Sequence, residues 1–370
     1  MQQAELYYVG LDVDDNKFHG FAISAKTGEA KEFTCQPTLG ALKKALLKFG
    51  DPQHFKICYE ATYLGFFLCR GLRKSGFQCD VIAPSLIPKL GGDKVKTDRL
   101  DAEKLARYFL SGMLTIVNVP DEEREADRNL LRSRKFIQEQ LSALKKHINS
   151  ITRAVGWDYK REENRKQIWR GSYLKWLHQK LATTELTYLK IDLEILLKQY
   201  ENLIEIMKRF DFELQNLSQK PIYKQAVQAL TCFRGIETLT ALVLVTEIGD
   251  ARRFKHPRQL TSYAGMDIVE RSSGGKERRF GISRDGNKFI RTAVIEACQR
   301  SEKAVVGREL KKRREGVDQK YIDIADRCLN RLRQKSQRLL ARDKTRNKVK
   351  VACAREMLGF IWETLRATAA

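Results

Sequence analysis

What the sequence lacks narrows its function first. It holds no run of about 18 uncharged apolar residues, the length a membrane-spanning helix needs. Residues Met1 to Val9 have no basic stretch leading into an apolar one. They do not read as a signal peptide, and a cytosolic protein with no membrane contact is expected. The eight cysteines (Cys35, Cys58, Cys69, Cys79, Cys232, Cys298, Cys328 and Cys353) include no Cys-x-x-Cys pair, and the five histidines are scattered. Structural zinc needs closely spaced ligands, so none is expected. The cysteines read as reduced thiols, mostly buried as small hydrophobes. No Walker-type phosphate loop occurs. Negative charge is also short: 46 acidic residues face 69 basic ones, a formal net charge of +23.

A compact chain at that charge repels itself unless a polyanion neutralises it. Nucleic acid is the first candidate and an anionic membrane the second. The excess concentrates near the C-terminus, where residues 301–355 hold 18 basic and 7 acidic side chains, a net +11. A solvated helix face is the plain account of such a run; an excess of this size favours contact with a phosphate backbone. The 370 residues suit two or three domains, and 42% hydrophobic with 31% charged residues is a foldable composition.

The first part of the chain alternates strand and helix signals. Leu6 to Val13, His19 to Ser24 and Ala30 to Cys35 read as strands, the last two joined by the polar turn Lys26-Thr27-Gly28-Glu29. Leu39 to Phe49 has helical apolar spacing, Phe55 to Glu60 reads as a strand, Leu64 to Lys74 as a helix and Cys79 to Ala83 as a strand. The order β-β-β-α-β-α-β-α predicts an α/β domain over residues 1–120, a ribonuclease-H-like mixed sheet with flanking helices. From about Asp121 to Leu217 glycine and proline nearly vanish. Leu130, Ile137, Leu141, Leu144 and Ile148 recur at helical spacing, as do Leu186, Leu189, Leu193, Leu196, Leu203 and Ile206. This predicts a coiled-coil hairpin of two long helices over 121–220, with its turn near Gly156 to Gly171. Simple helix packing and a dimerisation arm account for these stripes equally well. Residues 221–370 read as a mainly helical basic domain. Its helices run about Lys224 to Cys232, Leu239 to Ile248 and Pro257 to Ala264. A polar loop, Ser272-Ser273-Gly274-Gly275, follows; then come a helix from Lys288 to Lys303 and two more helices to Leu365.

Acidic residues stand out against the apolar strands. Asp12 lies inside Tyr8-Val9-Gly10-Leu11-Asp12-Val13, and Glu60 ends Ile57-Cys58-Tyr59-Glu60. Burying a carboxylate costs several kcal/mol unless it is paired or binds a metal. Asp98 and Asp101, in Lys96-Thr97-Asp98-Arg99-Leu100-Asp101-Ala102, fall three apart on one helix face. Four carboxylates gathered in this way suit Mg²⁺ or Mn²⁺ and phosphodiester chemistry. Helix capping and dipole compensation explain the Asp98–Asp101 pair as readily. Asp14 shares the alternation of Asp12 and competes for its role.

These segments resemble the DEDD transposases of the insertion-sequence one-ten family. The residues that carry the likeness are Val9-Gly10-Leu11-Asp12-Val13, Tyr59-Glu60-Ala61-Thr62 and the run from Lys96 to Ala106. Gly235 to Phe254, Leu260 to Met266, Ser272 to Gly275 and Gly281 to Lys288 extend it into the second half, in the family's order. The resemblance implies a RuvC-like N-terminal domain whose tetrad is Asp12, Glu60, Asp98 and Asp101, holding Mg²⁺ or Mn²⁺. It implies a serine nucleophile at Ser273, with Ser272 adjacent, that joins covalently to DNA. It further implies a structured guide RNA (a bridge RNA) pairing with donor and target DNA, and homodimers that assemble into homotetramers in a bacterial or archaeal cytosol. One departure stands out: the family's Pro-Gly-Ile-Gly is Arg234-Gly235-Ile236-Glu237 here, which weakens a local helix-hairpin-helix contact with DNA.

Rival readings share parts of these features. A RuvC-like junction resolvase or nuclease would use the same acids with water as nucleophile. A non-catalytic nucleic-acid scaffold accounts for the charge but not for Asp12. An actin-like ATPase or sugar kinase needs glycine soon after its aspartate, where Asp14, Asp15 and Asn16 stand.

Overall fold

Seven residues with apolar side chains at every second position make Tyr7–Val13 a strand buried on both sides, and the N-terminal sheet grows around it. In the computed structural model, which describes residues 5–88, 97–164, 168–273, 276–303 and 305–368, this strand is β1. It pairs antiparallel with β2 (Phe18–Ser24), which pairs antiparallel with β3 (Ala30–Cys35). On its other side lies β4 (Phe55–Glu60), parallel, followed by the parallel β5 (Gln78–Ile82) and the short antiparallel β6 (Ile116–Val117). The sheet order is β3-β2-β1-β4-β5-β6. Helices α1 (Leu39–Leu47) and α2 (Phe67–Lys74) cover one face, burying Leu42, Leu46, Leu68 and Leu72 against Val9, Leu11 and Ile57. Helix α3 (Asp98–Leu110) covers the other. The expected mixed sheet with flanking helices is borne out, and these elements form one compact unit, Met1–Asp121.

The second compact unit is Glu122–Ala370. Its long helices, α4 (Glu122–Ala154) and α7 (Thr187–Ser218), pack together through Leu141, Leu144, Ile148, Leu193, Leu197 and Leu203. Their connection is no simple turn. It contains α5 (Tyr159–Glu162) and α6 (Gly171–Thr183), and Tyr173, Trp176, Leu177 and Leu181 of α6 enter the same core. Those four residues are themselves helically spaced, so apolar burial extends the structure past Gly171.

A second core gathers α8 (Pro221–Thr231), α9 (Thr238–Ile248), α10 (Pro257–Tyr263), α11 (Lys288–Ala297), α13 (Gln319–Leu340) and α14 (Arg346–Thr368), and α12 (Arg308–Arg314) packs against α8. Leu230, Leu242, Ile290, Val294, Leu358 and Ile361 are fully buried in it. Three expectations are corrected here. The segment read as a polar loop is a hairpin of β7 (Ile268–Ser273) and β8 (Lys276–Ile282); Ser272 and Ser273 are its last β7 residues, while Gly274 and Gly275 lie outside the described residues. Helix α11 stops at Ala297 rather than Lys303, and Arg300 just beyond takes a left-handed φ of 56° that no helix continues through. Among the described residues three helices, not two, follow it. All eight cysteines are free and seven are buried, as expected of reduced thiols. Among the described residues no helix is long and apolar enough to cross a membrane.

Candidate active site

In the first unit the strand alternation decides which acids share a face. Val9, Leu11, Ile57 and Tyr59 point toward α1 and α2. Gly10 and Cys58 therefore face α3: a Cβ on Gly10 would lie 2.2 Å from the Ala102 carbonyl oxygen, and Cys58 Sγ reaches Leu105 O at 3.9 Å. Asp12 and Glu60, each two residues further along, fall on that same face at the C-terminal ends of adjacent parallel strands. Both are half-buried. Asp14 lies past the end of β1, exposed, with its Oδ1 accepting from Asn16 N at 2.9 Å.

Helix α3 brings the other two acids. Thr97, not Asp98, is its N-cap, its hydroxyl accepting from Leu100 N at 3.3 Å. Asp98 and Asp101 occupy the first turn, where the helix dipole favours negative charge. Asp98 is exposed and Asp101 half-buried. The sequence reading missed a neighbour, His19 of β2. It is the cross-strand partner of Asp12, and its Nε2 lies 3.5 Å from Asp98 Oδ2, within ion-pair range without hydrogen-bond geometry. The hairpin register was the signal: pairing Val13 with Phe18 sets His19 opposite Asp12. Arg99 Nη2 meets Glu32 Oε1 of β3 at 2.7 Å and ties the same turn to the sheet edge.

A hard divalent cation takes oxygen ligands, and a DEDD carboxylate set is in general divalent-metal chemistry. The donors here fit in kind and in face. Among the described residues, however, no group of three or more His, Cys, Asp or Glu side chains stands close enough to hold an ion.

The second unit carries Ser273 at the tip of the β7–β8 ribbon, paired with Lys276. The base of that ribbon is fixed from several sides. Ser283 N donates to Asp267 O at 2.8 Å, Arg284 N to Gly265 O at 2.9 Å and Asn287 N to Tyr263 O at 2.8 Å. Gly265 has φ 64° and sits against Arg284 and Asp285, where a side chain has no room. Asn287 then caps α11, its Oδ1 accepting from Phe289 N and Ile290 N, while its amide donates to Glu247 Oε2 at 2.7 Å. Glu247, at the end of α9, is 1% exposed. Arg132 of α4 grips both of its oxygens, at 2.8 and 2.9 Å. Burial, the largest single influence, would lower the Arg132 pKa; the hydrogen bonds to Glu247 and the attraction of its charge together raise it. The sequence reading missed this node too, since an acid in the apolar run of α9 was the only mark of it. At the family departure, Gly235 has φ 85° and a Cβ there would lie 2.2 Å from Ala297 O; Arg313 donates to Ile236 O. That turn is packed within the unit.

A mixed sheet with acids on one face and a basic, helical second unit are consistent with an enzyme that acts on nucleic acid strands. Comparison with known proteins narrows the class. The profile described as Transposase IS116/IS110/IS902 family matches residues 227–312, and the DEDD transposase profile of the same group matches residues 9–155. The chain is 33% identical to y4qE of Sinorhizobium fredii, which carries a transposase name, over 97% of this chain and 88% of that one. It is 27% identical to the transposase for insertion sequence element IS1533 of Leptospira borgpetersenii, over 90% and 96%. It is 24% identical to the transposase for insertion sequence element IS1328 of Yersinia enterocolitica, over 79% and 82%. The chain belongs to the IS110 family of transposases and is a DNA transposase.

Proposed function

We propose that this transposase cuts and rejoins DNA with a metal-assisted carboxylate set in its first unit and a serine nucleophile in its second, directed by a structured non-coding RNA. The observation that carries the catalytic part is the common face of Asp12, Glu60 and the first turn of α3 on a ribonuclease-H-like sheet. Asp12, Glu60, Asp98 and Asp101 are the residues that would hold Mg²⁺ or Mn²⁺. A divalent ion there supplies polarisation of the scissile phosphate.

Ser273 is the nucleophile in this reading. Its Oγ forms a bond to a DNA phosphorus as the phosphorus–oxygen bond to one deoxyribose breaks. The serine proton leaves, and the departing sugar oxygen takes one up. The ester keeps the phosphate activated, so the reverse attack by another strand's hydroxyl rejoins DNA without ATP. The basic C-terminal segment holds nucleic acid. Guide RNA, and homodimers pairing into homotetramers, rest on the family likeness. The domain division 1–120, 121–220 and 221–370 assigns carboxylates, helical arm and serine to separate parts.

The test is recombination between plasmids carrying donor and target sites, with the element's flanking RNA and Mg²⁺, comparing wild type, Asp12→Ala and Ser273→Ala. Both variants are expected to lose at least about 10³-fold in rate, as when one member of a catalytic set is removed. Full recombination by Ser273→Ala would overturn the serine role and leave Ser272 or water as nucleophile.

A further inference from the structure

Helices α13 and α14 pack side by side, and the charge on their shared flank changes along its length. At one end the cations are answered from within: Arg327 pairs with Glu363, and Arg331 and Lys335 both pair with Glu356. At the other end, around the turn that joins the helices, the acids run out. Arg338, Arg342, Lys344 and Lys348 are all exposed and, among the described residues, form no ion pair; Asp343 is the single acid between them. By helical spacing Arg338 continues the flank that holds Arg327, Arg331 and Lys335, and Arg342 follows in the turn just past the helix, so a run of cations is neutralised over part of its length and open over the rest.

A second chain segment joins the open end. A cleft of about 150 Å³ lies between it and the loop that follows α11, lined by Arg300, Arg346 and Lys350 with Glu302 as the one acid. Arg346 reaches Glu302 only at 3.7 Å. Arg300 is held there by its own carbonyl, which accepts from Arg234 Nη1 at 2.8 Å. Stability does not explain this clustering. Like charges repel, and Lys348 in the first turn of α14, which has no acid, opposes the positive end of the helix dipole.

We propose that the α13–α14 turn, with the cleft beside it, is a backbone contact for duplex DNA, in which Arg338, Arg342, Lys344 and Lys348 each approach a phosphate. The proposal rests on the reading that the C-terminal segment holds nucleic acid and names which part of it does so. Phosphate contacts of this kind position DNA without reading its sequence, and each counterion released shows in the salt dependence of binding.

The experiment is a salt titration of full-length protein on a short DNA duplex of arbitrary sequence and on an RNA duplex of the same sequence. Wild type is compared with the fourfold variant Arg338→Gln, Arg342→Gln, Lys344→Gln, Lys348→Gln, and with Arg327→Gln, Arg331→Gln from the neutralised end. The slope of log affinity against log salt is expected to flatten by roughly 3 to 4 in the fourfold variant, from about 0.9 per phosphate contact, and to change little in the second. The fourfold variant is expected to melt no lower than wild type, since it removes repulsion. An unchanged slope in a folded fourfold variant overturns the proposal while leaving nucleic-acid binding by the segment intact. Loss confined to a duplex of RNA overturns the choice of DNA. Absence of duplex binding by wild type overturns both this inference and the reading beneath it.

Discussion

The two candidate sites are held in opposite ways. In the first unit two acids stand on the central strands and two on α3, which is laid so close that backbone meets backbone at Gly10 and Ala102. In the second unit the serine stands on a two-stranded ribbon whose base is held by hydrogen bonds through Gly265, Asn287, Glu247 and Arg132. Metal ligands need positions shared among several elements, which a sheet supplies. Under the proposed function Ser273 must reach a strand of DNA, which calls for a fixed root with the serine carried beyond it. The lesson is that burial positions the first kind of group and anchoring positions the second.

That contrast is open to attack at its strongest point first. Glu247→Ala is expected to cost the second unit about 3 kcal/mol, because Arg132 loses its carboxylate and the Asn287 amide its acceptor. Denaturant unfolding measures it, and a loss under about 0.5 kcal/mol would mean the ribbon's root does not depend on this node. Next, Gly10→Ala is expected to destabilise the first unit by about 1–3 kcal/mol through overpacking against α3. Gly281→Ala in β8 meets nothing within 4 Å and is expected to be close to neutral. Equal effects of the two glycine substitutions in thermal melts would erase the distinction between sheet and ribbon. The smallest change, Thr97→Ala, removes the cap of α3 and is expected to cost about 1 kcal/mol. Amide exchange would then quicken in the turn bearing Asp98 and Asp101; unchanged exchange there would show that docking on the sheet, not the cap, orders those acids.

The first unit was largely legible in the sequence, and the reason is physical. Strands buried on both faces write long apolar runs, and an acid inside one, as Asp12 is, marks itself. The ribbon was not legible. Its sequence, Ile-Val-Glu-Arg-Ser-Ser and Lys-Glu-Arg-Arg-Phe-Gly-Ile, is dense in charge, lacks the alternation of a half-buried strand, and ends in serine and glycine that read as loop. Without the family likeness Ser273 would pass as a loop serine. Helix α6 was overlooked because glycines at 156 and 171 seemed to bracket one turn, yet Gly171 starts a helix. His19 and Glu247 become visible only when register and tertiary partners are known: one faces Asp98 across the helix–sheet gap, the other waits for Arg132, 115 residues earlier in the chain.

The grip of Arg132 on Glu247, with Arg128 donating to Thr246 O beside it, also fastens one end of α4 to α9. The helix runs on from Arg132 to Ala154, about 33 Å at 1.5 Å per residue. One buried carboxylate, Glu247, is therefore the point on which both the helical arm and the base of the β7–β8 ribbon are fastened.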